Sequence, residues 1–150
     1  MARLIGRMFL IVLGYGLACL AASAFFHLLV LGGMNLTADE EQLLAVTSFL
    51  TVPGAAVAAG YHMAVPAAVL VALAEMATIR DWIWHALGGA LAAVAGAFMA
   101  YDPARLQQDT GLLATVIACG LVAGIAYWLV AGRGSGGWSE ALNGQASSGS

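Results

Sequence analysis

The chain has 150 residues and a mass of 15.3 kDa, the size of one domain. Hydrophobic residues make up 62% of it and charged residues 9%, against about 45–50% and about 25% in water-soluble domains, which excludes a soluble globule and a disordered chain alike. The five basic residues are all arginine, eight acids oppose them for a net charge of −3, and no basic stripe marks nucleic acid as a partner.

This is the composition of an integral membrane protein, with the lipid bilayer as its first partner. A spanning helix needs about 20 mostly apolar residues to cross about 30 Å of hydrocarbon. The first candidate covers about residues 8–31 and contains no charged residue, only His27. A signal peptide is the competing reading, with Arg3 and Arg7 before the apolar run and Ala22-Ser23-Ala24 as a cleavage site. The run continues from Phe25 to Leu31, however, which favours a retained span.

Gly32-Gly33-Met34-Asn35 is a helix stop, and Thr37 with Glu40 three residues later has capping-box spacing, so a second helix is expected from about Ala38. No charge interrupts the 32 residues from Leu43 to Ala74, roughly 48 Å of helix. Pro53 and Pro66 are the candidate hinges, and either can bend it. Two arrangements fit: a lead-in from Ala38 to Val52 before one span at 53–79, or two short crossings joined near Tyr61-His62. A third span is expected at 82–101, capped by Asp81 and flanked by Trp82, Trp84 and Tyr101 as an aromatic belt. Asp102 to Asp109 breaks the helix, and a fourth span covers 110–131. The Gly/Ser-rich stretch 132–150 reads as a disordered tail beyond a transmembrane domain at 1–131.

Four crossings put Arg3, Arg7, Arg80 and Arg133 on one side and only Arg105 on the other, a better positive-inside bias than five crossings give. The expected fold is therefore all-α: an integral membrane four-helix bundle in a bacterial inner membrane, both termini cytoplasmic, the second helix long and Pro-kinked.

Small residues, which let helices approach closely in lipid, recur at four-residue steps on every span. They are Gly14, Ala18 and Ala22; Gly54 and Ala58, with Ala56 and Gly60 beside them; Gly88, Ala92 and Gly96, with Gly89, Ala93 and Ala97 beside them; and Gly120 and Gly124. The doubled stripe on the third span is the candidate for contact with another chain.

Glu75 is the one carboxylate inside an apolar run, at a cost on insertion scales of about 2.5–3.5 kcal/mol. Two readings are open: a clip or anchor at the helix end, paired with Arg80, or a proton or ion site. Counted along the helices, His27 lies about 28 Å deep, His62 about 25 Å and His85 about 8 Å, so only His27 and His62 could share a haem; packed or interfacial histidines are the plainer reading. Cys19 and Cys119 are expected to be packing residues. No metal-ligand spacing and no nucleophile–base pair occurs in the sequence, so neither a cofactor nor an enzyme is expected.

The run Ala74-Glu75 through Ile79-Arg80, with the aromatic-rich start of the next span, resembles uncharacterised small four-helix bacterial inner-membrane proteins. That resemblance covers the middle third of the chain and implies four spans and no activity. The functional expectation is an accessory or scaffolding membrane protein acting through helix–helix contacts, as a homo-oligomer or within a larger membrane complex. The alternative is a minimal oligomeric transporter or channel with Glu75 as titrating group, and a haem-binding electron-transfer protein comes third.

Overall fold

A computed structural model describes residues 2–34 and 37–134. These are helical: α1 (Ala2–Gly32), α2 (Ala38–Met76), α3 (Trp82–Ala100), α4 (Pro103–Gln108) and α5 (Thr110–Val130), followed by a 3₁₀ turn at Gly132–Gly134. Four of them, α1, α2, α3 and α5, are long and apolar enough to cross a membrane. The part of the tail from 135 to 150 lies outside the described residues.

The helix ends follow local chemistry. α2 begins where the Thr37–Glu40 spacing predicts, with the Glu40 carboxylate accepting from the Thr37 N–H at 2.9 Å and the Thr37 hydroxyl at 2.8 Å. Asp109 caps α5 by accepting from the Leu112 N–H at 2.9 Å. Asp81 occupies the N-cap position of α3 but makes no side-chain capping bond, which corrects its expected role. The segment 102–109 separates α3 from α5, as expected, and winds within itself into the short helix α4. Asp102 accepts from the Ala104 N–H at 3.0 Å, and Leu106, 1% exposed, anchors the turn.

α2 is one continuous helix of 39 residues that starts at Ala38, as the capping-box spacing predicts, contains Pro53 and Pro66, and ends at Met76, three residues before the expected Ile79. Each proline removes one backbone donor, freeing the carbonyls of Phe49 and His62 four residues back. In a bilayer a freed carbonyl is costly unless a neighbouring group satisfies it, and the helix nevertheless continues across both prolines.

The long helices form a closed ring of contacts, α1 with α2, α2 with α3, α3 with α5 and α5 with α1. The core is built mainly of alanine and glycine. Ala18, Ala56, Ala86, Ala92, Ala93, Ala97 and Ala131 are buried, whereas most leucines of α1 face outward. Such packing suits lipid, where burying leucine gains little and backbone proximity gains dispersion. The tightest crossing joins α3 to α5: a Cβ on Gly120 would lie 2.6 Å from the Gly89 carbonyl oxygen and 2.7 Å from Ala93 Cβ. Gly96 turns to the other neighbour, where a Cβ would meet Met63 Cγ of α2 at 2.6 Å.

The doubled stripe of α3 is thus used inside the chain. One row faces α5 and Gly96 faces α2, because α3 is flanked on both sides; Ala92 and Gly96 are buried inside the chain. Gly88 has open space where a Cβ would project, as does Gly54.

These contacts separate two glycines of equal helix propensity. Gly124→Leu places a side chain against the Ala86 Cα, where even a Cβ would lie at 2.8 Å, and is expected to cost at least about 1–3 kcal/mol. Gly54→Leu, with nothing to strike, is expected to stay within about 0.5 kcal/mol of the parent. Thermal unfolding of both variants in one detergent checks the contrast.

Candidate functional site

The antiparallel ring gathers one end of each long helix: the start of α1, the end of α2, the start of α3 and the end of α5. The α2–α3 turn forms one wall. Its backbone closes as a Schellman motif, Ile79 N–H to the Ala74 carbonyl at 2.9 Å and Thr78 N–H to the Glu75 carbonyl at 3.3 Å. Thr78 takes the left-handed position that this motif needs, with φ 53°. A β-branched residue there costs on the order of 1–2 kcal/mol, so the surrounding contacts over-determine the turn. Its effect is to hold Glu75 in the last turn of α2, facing inward and buried.

Glu75 is ion-paired with Arg7 of α1, which approaches from a sequence distance of 68 residues. Both side chains are largely withdrawn from solvent, at 15% exposure for Arg7 and 11% for Glu75. Neighbouring these residues, His85 of α3 and Tyr127 of α5 stack with ring centroids 5.9 Å apart and planes 24° apart. The charges of Glu75 and Arg7 both act on the Tyr127 hydroxyl. His85 Nδ1–H donates to the Asp81 carbonyl at 2.9 Å, one turn back, which fixes the ring and assigns that proton to Nδ1. His85 Nε2 and the Tyr127 hydroxyl are buried with no hydrogen-bond partner among the described residues.

The 3₁₀ turn roofs the cluster. A Cβ at Gly132 would lie 3.0 Å from His85 Nε2 and 2.9 Å from Trp128 Cδ1, and one at Gly134 would lie 3.0 Å from an Arg7 guanidinium nitrogen. Trp128 is pinned outside it: its indole N–H donates to the Arg80 carbonyl at 2.8 Å, and Arg133 lies 4.7 Å over its ring. Arg80 sits on the rim, exposed, and Arg7 is a cation in contact with Glu75.

The remaining polar bonds set the register of α1 on α2. The Tyr15 hydroxyl donates to the Gly60 carbonyl at 2.6 Å, and the Ser23 hydroxyl to the Val52 carbonyl at 2.8 Å. Cys19 lies between them against Gly60; it and Cys119 are free thiols, as packing residues would be. In this register His62, two residues beyond Gly60, is level with the Tyr15–Cys19 stretch, and His27 is roughly 12 Å or more further along α1. His27 Nδ1–H instead donates to the Ser23 carbonyl at 2.8 Å, and His62 is exposed beside Tyr61. The structure does not bring these two histidines to one iron. No group of three or more His, Cys, Asp or Glu positioned for a metal ion occurs among the described residues.

Fold and site together define a multi-pass helical membrane protein with an ionic clasp inside one end. Comparison of the chain with family models, with curated proteins and with solved structures returned no match.

The clasp makes a specific energetic demand. Removing one partner leaves a buried charge unopposed, at a cost of about 3–5 kcal/mol, whereas replacing both with apolar residues is often neutral. Arg7→Met and Glu75→Met are each expected to destabilise the fold by that order, and the double variant to recover most of the loss. A double-mutant cycle of unfolding free energies checks the coupling.

Proposed function

We propose that this protein is a small accessory or scaffolding subunit of a bacterial inner membrane, working through helix–helix contact with a larger membrane complex or with copies of itself. In this reading the four long helices form a bundle that spans the bilayer with both termini in the cytoplasm. Arg7, Arg80 and Arg133 cluster at the end that faces inward, while Asp39, Glu40, Glu41, Asp102 and Asp109 lie toward the opposite ends of their helices. The contacts of Arg7, Tyr15 and Ser23 with α2 support a retained first span over a cleaved signal peptide, since cleavage would strip three partners from α2.

The observation that carries the scaffold reading is the first half of α2. At about 58 Å this helix is nearly twice the thickness of the hydrocarbon core. N-terminal to its last bond with α1, at Val52, it presents Leu43, Val46, Phe49 and Leu50, exposed by 65%, 68%, 84% and 79%. A helix so much longer than the bilayer must tilt steeply or carry apolar side chains past the lipid, and a partner's helices would relieve both demands. Pro53, at the base of this arm, and Pro66 would let it bend to meet that partner.

The competing transporter or channel has less support, because Arg7 already neutralises the carboxylate that it would use. Photo-crosslinking in native membranes separates the readings. A crosslinker at Phe49 is expected to capture one protein in fixed stoichiometry, and the same group at Leu129, on the exposed side of α5, to capture none. Phe49→Ala with Leu50→Ala is expected to abolish most of that capture. Labelling of lipid alone at Phe49 would contradict the scaffold reading.

A further inference from the structure

We propose that the His85–Tyr127 stack beside the Arg7–Glu75 pair is a proton-binding site, with His85 Nε2 as the acceptor. The proton taken up there governs how firmly the clasp holds the four helix ends together.

The site is built and enclosed. His85 and Tyr127 are 8% and 7% exposed, and each buries a polar atom with no hydrogen-bond partner among the described residues. A buried polar atom left without a hydrogen bond is costly, and a chain under no other constraint would avoid the cost with an apolar side chain. The Asp81 carbonyl holds the Nδ1 proton, so the lone pair of the neutral ring is at Nε2, the atom that lies against the 3₁₀ turn at Gly132. Gly132 keeps that face of the ring open, since a Cβ there would stand 3.0 Å from Nε2.

Charged or titratable groups reach the site from every neighbouring element. They are Arg7 from α1, Glu75 from α2, Tyr127 from α5 and Arg133 on the turn, with Arg80 and Asp81 exposed at the rim. With the ring neutral, Arg7 and Glu75 balance each other. A proton moving from the aqueous phase onto Nε2 converts imidazole to imidazolium, and the cluster goes from no net charge to +1. The new cation repels Arg7 and competes with it for Glu75. Uptake therefore loosens the α1–α2 contact, and loss of the proton restores it. Histidine is suited to the task because its charge changes between about pH 5 and 8.

The test uses the full chain in lipid bilayers with His27→Gln and His62→Gln, leaving His85 as the single histidine for ¹⁵N imidazole NMR. Nε2 is expected to give an unprotonated-nitrogen signal that converts reversibly to the protonated form as the pH is lowered. Glu75→Gln, which removes the carboxylate that pairs with Arg7 and so takes a negative charge from the cluster, is expected to suppress the protonated form. Gly132→Ala changes no charge and places a methyl group on the Nε2 face; it is expected to suppress it as well. A His85 ring that keeps one protonation state throughout overturns the proposal. So does a titration that both variants leave unaltered, because the ring would then be exchanging protons independently of the cluster.

Discussion

The structure depends on the meeting of Arg7 and Glu75, two charges that the hydrocarbon tolerates only together. Either one buried without the other is an uncompensated charge, at a cost of about 3–5 kcal/mol. Paired and partly buried, they convert that cost into a constraint: α1 and α2 have one register in which both charges are satisfied. The Tyr15–Gly60 and Ser23–Val52 bonds fall into place along the same interface, each with a hydroxyl that would otherwise lack an acceptor. Apolar packing alone specifies register weakly in lipid, where one leucine surface is as good as another.

The remaining interfaces answer a different need. α3 is held between α2 and α5 by glycine and alanine, and at Gly89, Gly120 and Gly124 the backbones approach so closely that a Cβ would strike the opposite chain. Fixing that spacing brings His85 against Tyr127 and lets the Gly132 turn fold over them. The polar cluster thus depends on the glycine interface for its shape, while the glycine interface has no polar group to choose its height along the helix. Each supplies what the other lacks.

Much of this was legible in the residues. The four apolar helices, the start of α2 at Ala38, the span ends of α3 and α5 to within a residue, and the packing roles of Gly120 and Gly124 follow from hydropathy, capping and small-residue spacing. The length of α2 was legible too, from the capping box at Thr37 and the uncharged run to Ala74, whereas its passage through Pro53 and Pro66 without a break was only one of two arrangements that the residues allowed. The partner of Glu75 was missed for a reason of scale. Arg80 is five residues away and Arg7 is 68, and local spacing favours the near one. A signal was present: Arg7, Glu75, His85 and Tyr127 each lie within a turn or two of a helix end, and an antiparallel order of four helices sends those ends to one place. The depth of His85 was compared only with other histidines, so its neighbours across the ring of helices escaped notice.

The α1–α2 register set by the clasp can be read directly through Cys19. In a Cys119→Ala background, Gly60→Cys puts a second thiol where its Cβ lies 3.9 Å from that of Cys19, within the roughly 3.5–4.5 Å that a disulfide spans. Mild oxidation in native membranes is expected to close this bond within one chain, seen as a faster-migrating band without reductant, and to close it less completely when Glu75→Gln is added. Failure to form the bond, or its formation only between two chains, would contradict the register and with it the role assigned to Arg7 and Glu75.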